Sequence, residues 1–389
     1  MPLFSGIVFA MTSDISLYVH WPFCKTVCPY CNFNSHVSEN INQNRWRDAF
    51  LKELYHYASE TTGRRLTSIF FGGGTPSLMA SKTVEAIIEM ACTSWPVDKD
   101  LEITLEANPS SADISRFTSY RIAGVNRLSL GVQSLDDSAL KFLGRPHNAN
   151  QAQNAMTSAK KIFDRVSFDF IYARPGQTIR KWREELAHVL SLAGNHLSLY
   201  QLTIEPGTDF FRKGISSIDQ DLAADLFEIT QDMTSSVGLN AYEISNYAQS
   251  GFESRHNLNY WDGGDYVGIG PGAHGRLSRQ DAFTATHQIN NPSRWLSAVE
   301  RIGHGTAKRR QLLAREKAEE MVMTGLRLSN GLDRSALAAR TGVELTELIN
   351  KSALTRLIEG GLIRERGQHL IATSAGRNTL NSVIQALLI

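Results

Sequence analysis

The sequence predicts an α/β protein, with a parallel sheet covered by helices and a smaller C-terminal module. Two observations carry that prediction. Six short β-branched and aromatic runs recur at intervals of about 30 residues, with amphipathic stretches of helical period between them. From about Ala307 the pattern changes to helices followed by a short hairpin. A chain of 389 residues is also too long for one small core. Six β/α units fit an open doubly wound sheet or a partial barrel, and the strand pattern leaves both open.

The first strand is read from SLYVHW, residues 16–21, and ends at Pro22. Residues 1–15 form an N-terminal extension. Its start, MPLFSGIVFA, is apolar but lacks the basic region and cleavage site of a signal peptide, and translation begins at Met1 or Met11. Directly after the strand, Cys24, Cys28 and Cys31 stand in a CxxxCxxC spacing. Three thiolates on one loop hold iron or zinc but supply one ligand too few for a closed tetrahedral site. Zinc would need a further pair of ligands, and the remaining cysteine, Cys92, is read as buried in the helix AIIEMACTSW. Three adjacent thiols also fit no disulfide framework. The reading is a 4Fe-4S cluster with one iron open to an outside ligand, kept in a reducing cytoplasm.

Helices are read in RWRDAFLKELYHYASE and SKTVEAIIEMA, and further strands in LTSIFFGGG, LEITLEANP, NRLSLGVQS, VSFDFIYARP and HLSLYQLTIEPG. The motif FFGGGTPS, residues 70–77, lets a ligand lie against bare backbone, and the lack of a following GK[ST] argues against a phosphate loop. Glu106, Gln133, Arg145 and Asp169 each sit at or just past the carboxyl end of a strand, where parallel sheets collect function. An acid, an amide, a guanidinium and a second acid at one sheet edge suit a ribose, an adenine and a carboxylate. Gly270-Pro-Gly272-Ala-His-Gly275 matches GxGxxG in form only. Pro271 removes an N–H that a dinucleotide loop needs, so a tight loop closing the mouth of the sheet is the better reading.

A net charge of +1 gives no global pull toward nucleic acid or an anionic membrane surface, and no apolar run approaches a membrane span. At the C-terminal end AKRRQLLAREKAEEMVMTGLRL and SALAARTGVELTELINKSALTRLIEGG read as helical, and LIRERG with QHLIATSAG as a hairpin wing. Lys308, Arg309 and Arg310 form a basic patch, but the module has mixed charge, so no nucleic-acid partner is expected.

The cysteine spacing resembles the radical S-adenosylmethionine (SAM) superfamily. In order and spacing, YVHWPFC, FFGGGTPS, LEANP, GVQS, LGRPH and DFIYARPGQT resemble the family of oxygen-independent coproporphyrinogen III dehydrogenase and its haem-chaperone branch, HemW, over roughly residues 16–389. That resemblance implies a partial (β/α)6 TIM-like barrel of the radical SAM type over 16–240. A connecting region over 241–306 closes it, and a winged-helix-like α+β domain fills 307–389. It implies a 4Fe-4S cluster on Cys24, Cys28 and Cys31. It also implies SAM contacts from Tyr18, Tyr30, Gly73, Gly74, Thr75, Glu106, Gln133, Arg145, Asp169 and Thr203, with Gly272 and Ala273 beside the adenosine. One departure is local: Ala173 and Arg174 replace the Gly and Leu of the common DLIYGLPGQT, and Arg174 adds a charge near the pocket mouth.

Two features separate the branches. Phe33 stands where the dehydrogenase has a fourth cysteine, and Arg255 to Tyr266 carries the HNxxYW core of the chaperone branch. His256, Asn257, Tyr260 and Trp261 are therefore assigned to haem, since imidazole ligates haem iron and the two rings offer flat apolar area. His20, His147 and His274 are weaker candidates. The expected function is a haem chaperone with haem as cargo and haemoproteins as acceptors, without coproporphyrinogen dehydrogenase activity. The alternatives are that dehydrogenase, which decarboxylates coproporphyrinogen III oxidatively, and a radical SAM enzyme with another substrate. Homodimerisation and peripheral membrane association are left open.

Overall fold

The computed structural model describes residues 14–111, 114–279 and 282–388. Met1 and Met11, with most of the N-terminal extension, lie outside the described residues, whereas Asp14 and Ile15 already belong to the first strand.

One twelve-stranded sheet dominates the structure. Its strands are β1 (Asp14–Trp21), β2 (Arg65–Gly73), β3 (Val97–Ala107), β4 (Arg127–Gln133), β5 (Arg165–Tyr172), β6 (His196–Gln201), β7 (Asn240–Ala241), β8 (Asn246–Ala248), β9 (Tyr266–Ile269), β10 (His274–Ser278), β11 (Phe283–Gln288) and β12 (Thr306–Leu312). Their order is β12-β11-β10-β9-β1-β2-β3-β4-β5-β6-β8-β7. The six strands expected from the sequence run in sequence order, each parallel to the next. A seventh parallel strand, β9, adds to the free side of β1. It went unread in the sequence because it is four residues long and contains Gly268.

Helices α1 (Gln43–Glu60), α2 (Ser81–Ser94), α3 (Ile114–Ile122), α4 (Asp137–Phe142), α5 (Ala149–Ile162), α6 (Ile179–Leu192), α7 (Asp209–Arg212) and α8 (Gln220–Ser236) connect and follow the parallel strands. Alternate strand residues, among them Leu17, Val19, Phe71, Leu105, Leu130, Phe168 and Leu197, share one core with Phe50 of α1, Ile87 of α2, Met156 of α5 and Trp182 of α6. The intervening residues are polar: Ser16, Tyr18 and His20 on β1, Glu102, Thr104 and Glu106 on β3, Ser129 and Gln133 on β4, Ser167 and Asp169 on β5. A doubly wound sheet would bury apolar residues on both faces. This sheet has one apolar and one polar face.

Curvature settles the remaining choice. Six flat strands would set the ends of β1 and β6 roughly 24 Å apart at ordinary strand spacing. Yet Cys24, just past β1, and Tyr200, on β6, line the same 350 Å³ cavity. The sheet therefore curls into a partial barrel with its polar face inward.

The C-terminal module has its own core, with Met321, Val322, Leu337, Leu348, Ile363, Leu370 and Val383. The expected hairpin is present as Ile363–Arg366 with His369–Ala372, and Leu332–Asp333 adds a third strand. One expectation is corrected here. AKRRQL is not helical: it lies in β12, antiparallel to β11, and after α9 (Arg255–Trp261) and α10 (Pro292–Ile302) the next helix, α11 (Ala314–Gly325), begins only beyond the strand. Pairing with β11 overrides the local helical pattern, and exposed basic residues suit an edge strand. In the basic patch Arg309 pairs with Glu60 and Arg310 with Glu316. Cys92, read as buried, is half-buried on α2. Among the described residues no helix is long and apolar enough to cross a membrane.

Candidate functional site

The cysteine loop is anchored from three sides. Phe23–Cys24 pairs with His36–Val37 as a short parallel ladder. Gly74 N–H donates to the Trp21 carbonyl at 2.7 Å and Thr75 N–H to that of Phe23 at 2.9 Å. A Cβ on Gly74 would lie 2.8 Å from the Phe23 carbonyl oxygen and 3.1 Å from Cys24 Sγ, so only glycine permits this approach. Across the mouth, Asn34 Nδ2 donates to the carbonyls of Pro271 and Asn290, both at 2.9 Å. The loop after β9 is thus tied to the cysteine loop by one amide.

All three thiols are free and face the 350 Å³ cavity. Thr75 Oγ1 donates to Cys24 Sγ at 3.3 Å, and Arg145 Nη1 to Cys28 Sγ at 3.4 Å. Among the described residues no three His, Cys, Asp or Glu side chains converge on a point that would suit a single metal ion.

Tyr30, Gly73, Gly74, Thr75, Glu106, Gln133, Arg145, Asp169 and Thr203 line this same cavity. Gln133 holds φ at +72°, a left-handed value costly for a non-glycine residue, and its Oε1 is buried without a partner. Arg145 donates through Nη2 to the Gly131 carbonyl at 2.8 Å, while its Nε is also buried without a partner. An orphaned acceptor and an orphaned donor cost about 1–3 kcal/mol each when nothing meets them. Both residues therefore suit a polar ligand such as SAM. Asp169 accepts from Ser129 Oγ at 3.0 Å and Ser167 Oγ at 3.2 Å. Burial, and then the neighbouring Asp169 carboxylate, push Glu106 up to about 8. Burial raises Asp169 as well. Near neutral pH this pair retains a proton, which lets it both donate to and accept from a diol.

A second cavity of 970 Å³ adjoins the first and shares Asn32, Phe33, Gly73, Glu106 and Tyr200 with it. All four HNxxYW residues line it, carried on α9 (Arg255–Trp261). The helix is held at its start by Glu102, which accepts from Ser254 Oγ and His256 N–H, both at 3.3 Å, and pairs with Arg165. His256 stacks on Phe70 with ring centroids 5.0 Å apart. Its Nδ1 lies 2.9 Å from Ser68 Oγ, and Ser68 in turn donates to Ser16 Oγ at 2.8 Å. Ser16 contacts Thr67 Oγ1, which donates to the Ile15 carbonyl at 3.3 Å. A carbonyl only accepts, so each hydroxyl passes its hydrogen toward Ile15 and His256 must donate from Nδ1. Nε2 then carries the lone pair, and among the described residues it has no hydrogen-bond partner.

Several expected residues occupy other places. Tyr18, Gly272 and Ala273 line the second cavity and not the first. Asn257, on the second cavity, donates through Nδ2 to Tyr242 Oη at 3.4 Å. His20 is buried and bonded to Tyr18 and Asn34, and His147 to the Val132 carbonyl. His274 stacks on His287 at 4.1 Å and lines the second cavity. Arg174 is a correction: it adds no charge at a mouth, because it is buried and paired with Glu185. Glu185 also accepts from Ser134 Oγ and Leu135 N–H, which pins the turn after Gln133. Ser68, Glu102, Ser129, Ser167 and Tyr200 were missed by strand-end reading. Their signal was the alternation of polar and apolar residues inside each strand.

The Radical SAM superfamily model matches residues 18–189, and the HemN C-terminal domain model matches 312–378. The chain is 40% identical to "Radical S-adenosyl methionine domain-containing protein 1, mitochondrial" of Bos taurus, over 82% of this chain and 74% of that protein. It is 35% identical to "Heme chaperone HemW" of Escherichia coli (strain K12), over 96% and 98%. Its fold superposes on the Escherichia coli coproporphyrinogen III oxidase HemN with a TM-score of 0.81 at 20% identity, covering 96% of this chain and 89% of that one.

Proposed function

The chain belongs to the radical SAM superfamily, in the branch that includes HemW, and from that premise we propose that it binds haem and delivers it to acceptor haemoproteins. The observation that carries this reading is His256: an imidazole that lines a 970 Å³ cavity has its Nδ1 engaged by Ser68 at 2.9 Å, and among the described residues its Nε2 has no hydrogen-bond partner. Metal-bound histidines are held in this manner, the far nitrogen fixed by a hydrogen bond. The cavity is at the upper end of the range of roughly 300–1,000 Å³ for small-molecule sites. Tyr260 and Trp261, edge to face at 4.9 Å, add aromatic area beside it.

In the adjoining cavity we assign Cys24, Cys28 and Cys31 to a 4Fe-4S cluster. SAM is assigned to Gly73, Gly74, Thr75, Gln133, Arg145 and Thr203, with the Glu106–Asp169 pair at its hydroxyls. Bound together, these groups supply one-electron reduction of the sulfonium. The protein's own residues orient the ligand and close it off from water. Phe33, exposed and placed at the junction of the two cavities, supports the chaperone over the dehydrogenase, because a side chain without sulfur occupies the position of a fourth cysteine.

The test is anaerobic reconstitution followed by haem titration of wild type and His256→Ala, with coproporphyrinogen III supplied in parallel. Wild type is expected to bind haem, His256→Ala to bind it at least about tenfold more weakly, and the porphyrinogen to remain unchanged. Decarboxylated product would replace the chaperone reading with the dehydrogenase.

A further inference from the structure

Two guanidinium groups line the second cavity, Arg276 and Arg327. Arg276 is spoken for: its Nε and Nη2 donate to Glu320 at 2.9 and 3.0 Å. Arg327 is not. Its Cζ lies 4.9 Å from the ring centroid of Trp261, its Nε is buried without a partner, and among the described residues it has no ion pair. Glu243, a carboxylate on the same cavity wall that feels the Arg327 charge, forms no ion pair with it and accepts from Ser245 N–H at 2.8 Å and from Asn246 Nδ2 at 2.6 Å. Guanidinium stacked on indole is held flat by the ring, with its edge N–H groups directed outward. The backbone is equally fixed, since Leu326 and Leu328 on either side are buried. A rigid, unpaired cation on the wall of a cavity is a receptor for a planar anion.

We propose that Arg327 is the specificity residue for a carboxylate on the periphery of the ligand in the second cavity. This inference rests on the haem reading and names the part of that molecule it recognises, a propionate. Geometry supports the pairing. His256 and Trp261 are five positions apart on α9, about 7.5 Å along the helix axis. Both line the second cavity together with Arg327, so a flat macrocycle held at His256 would present its edge to the wall formed by the indole and Arg327. The anchor comes from the residues just past α11, so the C-terminal module completes a site whose other walls come from the barrel side. Aromatic faces alone would take any porphyrin; a guanidinium selects those with an anionic edge.

The experiment uses the full, cluster-reconstituted protein with two probes, iron protoporphyrin IX and its dimethyl ester. Affinities are measured by Soret titration for wild type, Arg327→Gln and Arg327→Lys. Wild type is expected to favour the diacid over the ester by about 10- to 100-fold, the value of a charge-assisted hydrogen bond. Arg327→Gln should bring the two probes to within about threefold, and Arg327→Lys should restore part of the preference. A general loosening of the site would weaken both probes together and leave their ratio unchanged. Equal binding of both probes by wild type, or an unaltered ratio in Arg327→Gln, overturns the proposal and leaves haem binding in place. Failure of wild type to bind either probe overturns the haem reading, and this inference with it.

Discussion

Burial, with Arg127 nearby, lowers the pKa of His256 to about 3 from its ordinary 6.5. Between those values the unfolded chain binds a proton that the folded chain refuses. The stability contributed by the neutral imidazole is complete above pH 6.5 and is lost as pH falls toward 3. Urea unfolding of the apoprotein across this window should show that slope, and His256→Gln should flatten it. Glu106 behaves oppositely. Its pKa rises from 4.5 to about 8, so stability declines as pH rises through that interval, and Glu106→Gln should remove the decline. Ser68 matters through His256: Ser68→Ala deletes the acceptor that fixes the tautomer, and haem affinity is expected to drop several-fold, read by Soret titration.

At the scale of the element, α9 is only seven residues long and is placed by what it docks on. Glu102 takes hydrogen bonds from Ser254 and His256 and faces Arg165 and Arg127, the latter at 3.9 Å. Removing that carboxylate leaves two basic groups without their partner inside the sheet. Glu102→Ala should cost about 3 kcal/mol in chemical denaturation and weaken haem binding with it, because the helix that carries His256 loses its anchor. Haem affinity retained at the wild-type level in a destabilised Glu102→Ala would separate α9 placement from ligand binding. The β12 edge illustrates another element-level effect. A charge-rich stretch with helical spacing becomes a strand because β11 offers a ladder, and its basic residues find Glu60 and Glu316.

For the whole molecule, Cys28 and Cys31 belong to none of the three hydrophobic clusters, and of the residues between them only Tyr30 packs against one, the small cluster around Leu143, Ile171, Leu202 and Phe210. Cys28→Ser should therefore abolish iron and sulfide incorporation while shifting the apoprotein Tm by no more than a few degrees, measured by calorimetry. A collapse of the apoprotein fold would mean that the loop carries structural weight that its packing does not indicate.

Much of this was legible in the chain itself. The cysteine trio, the glycine loop, the polar strand ends and HNxxYW are local in sequence, and a strand end has a known address once the β/α repeat is recognised. The sequence by itself determined where the cysteine trio lies, the presence of six parallel strands and most of the polar residues that line the first cavity. Only the tertiary structure decided that the sheet curls, that β9 extends it, that Tyr18 serves the second cavity, that Arg174 turns into a buried pair with Glu185, and that Arg327 meets Trp261. The physical reason is range. Curvature, edge pairing and side-chain partners far apart in the chain arise from packing between elements, which no pattern within one element encodes.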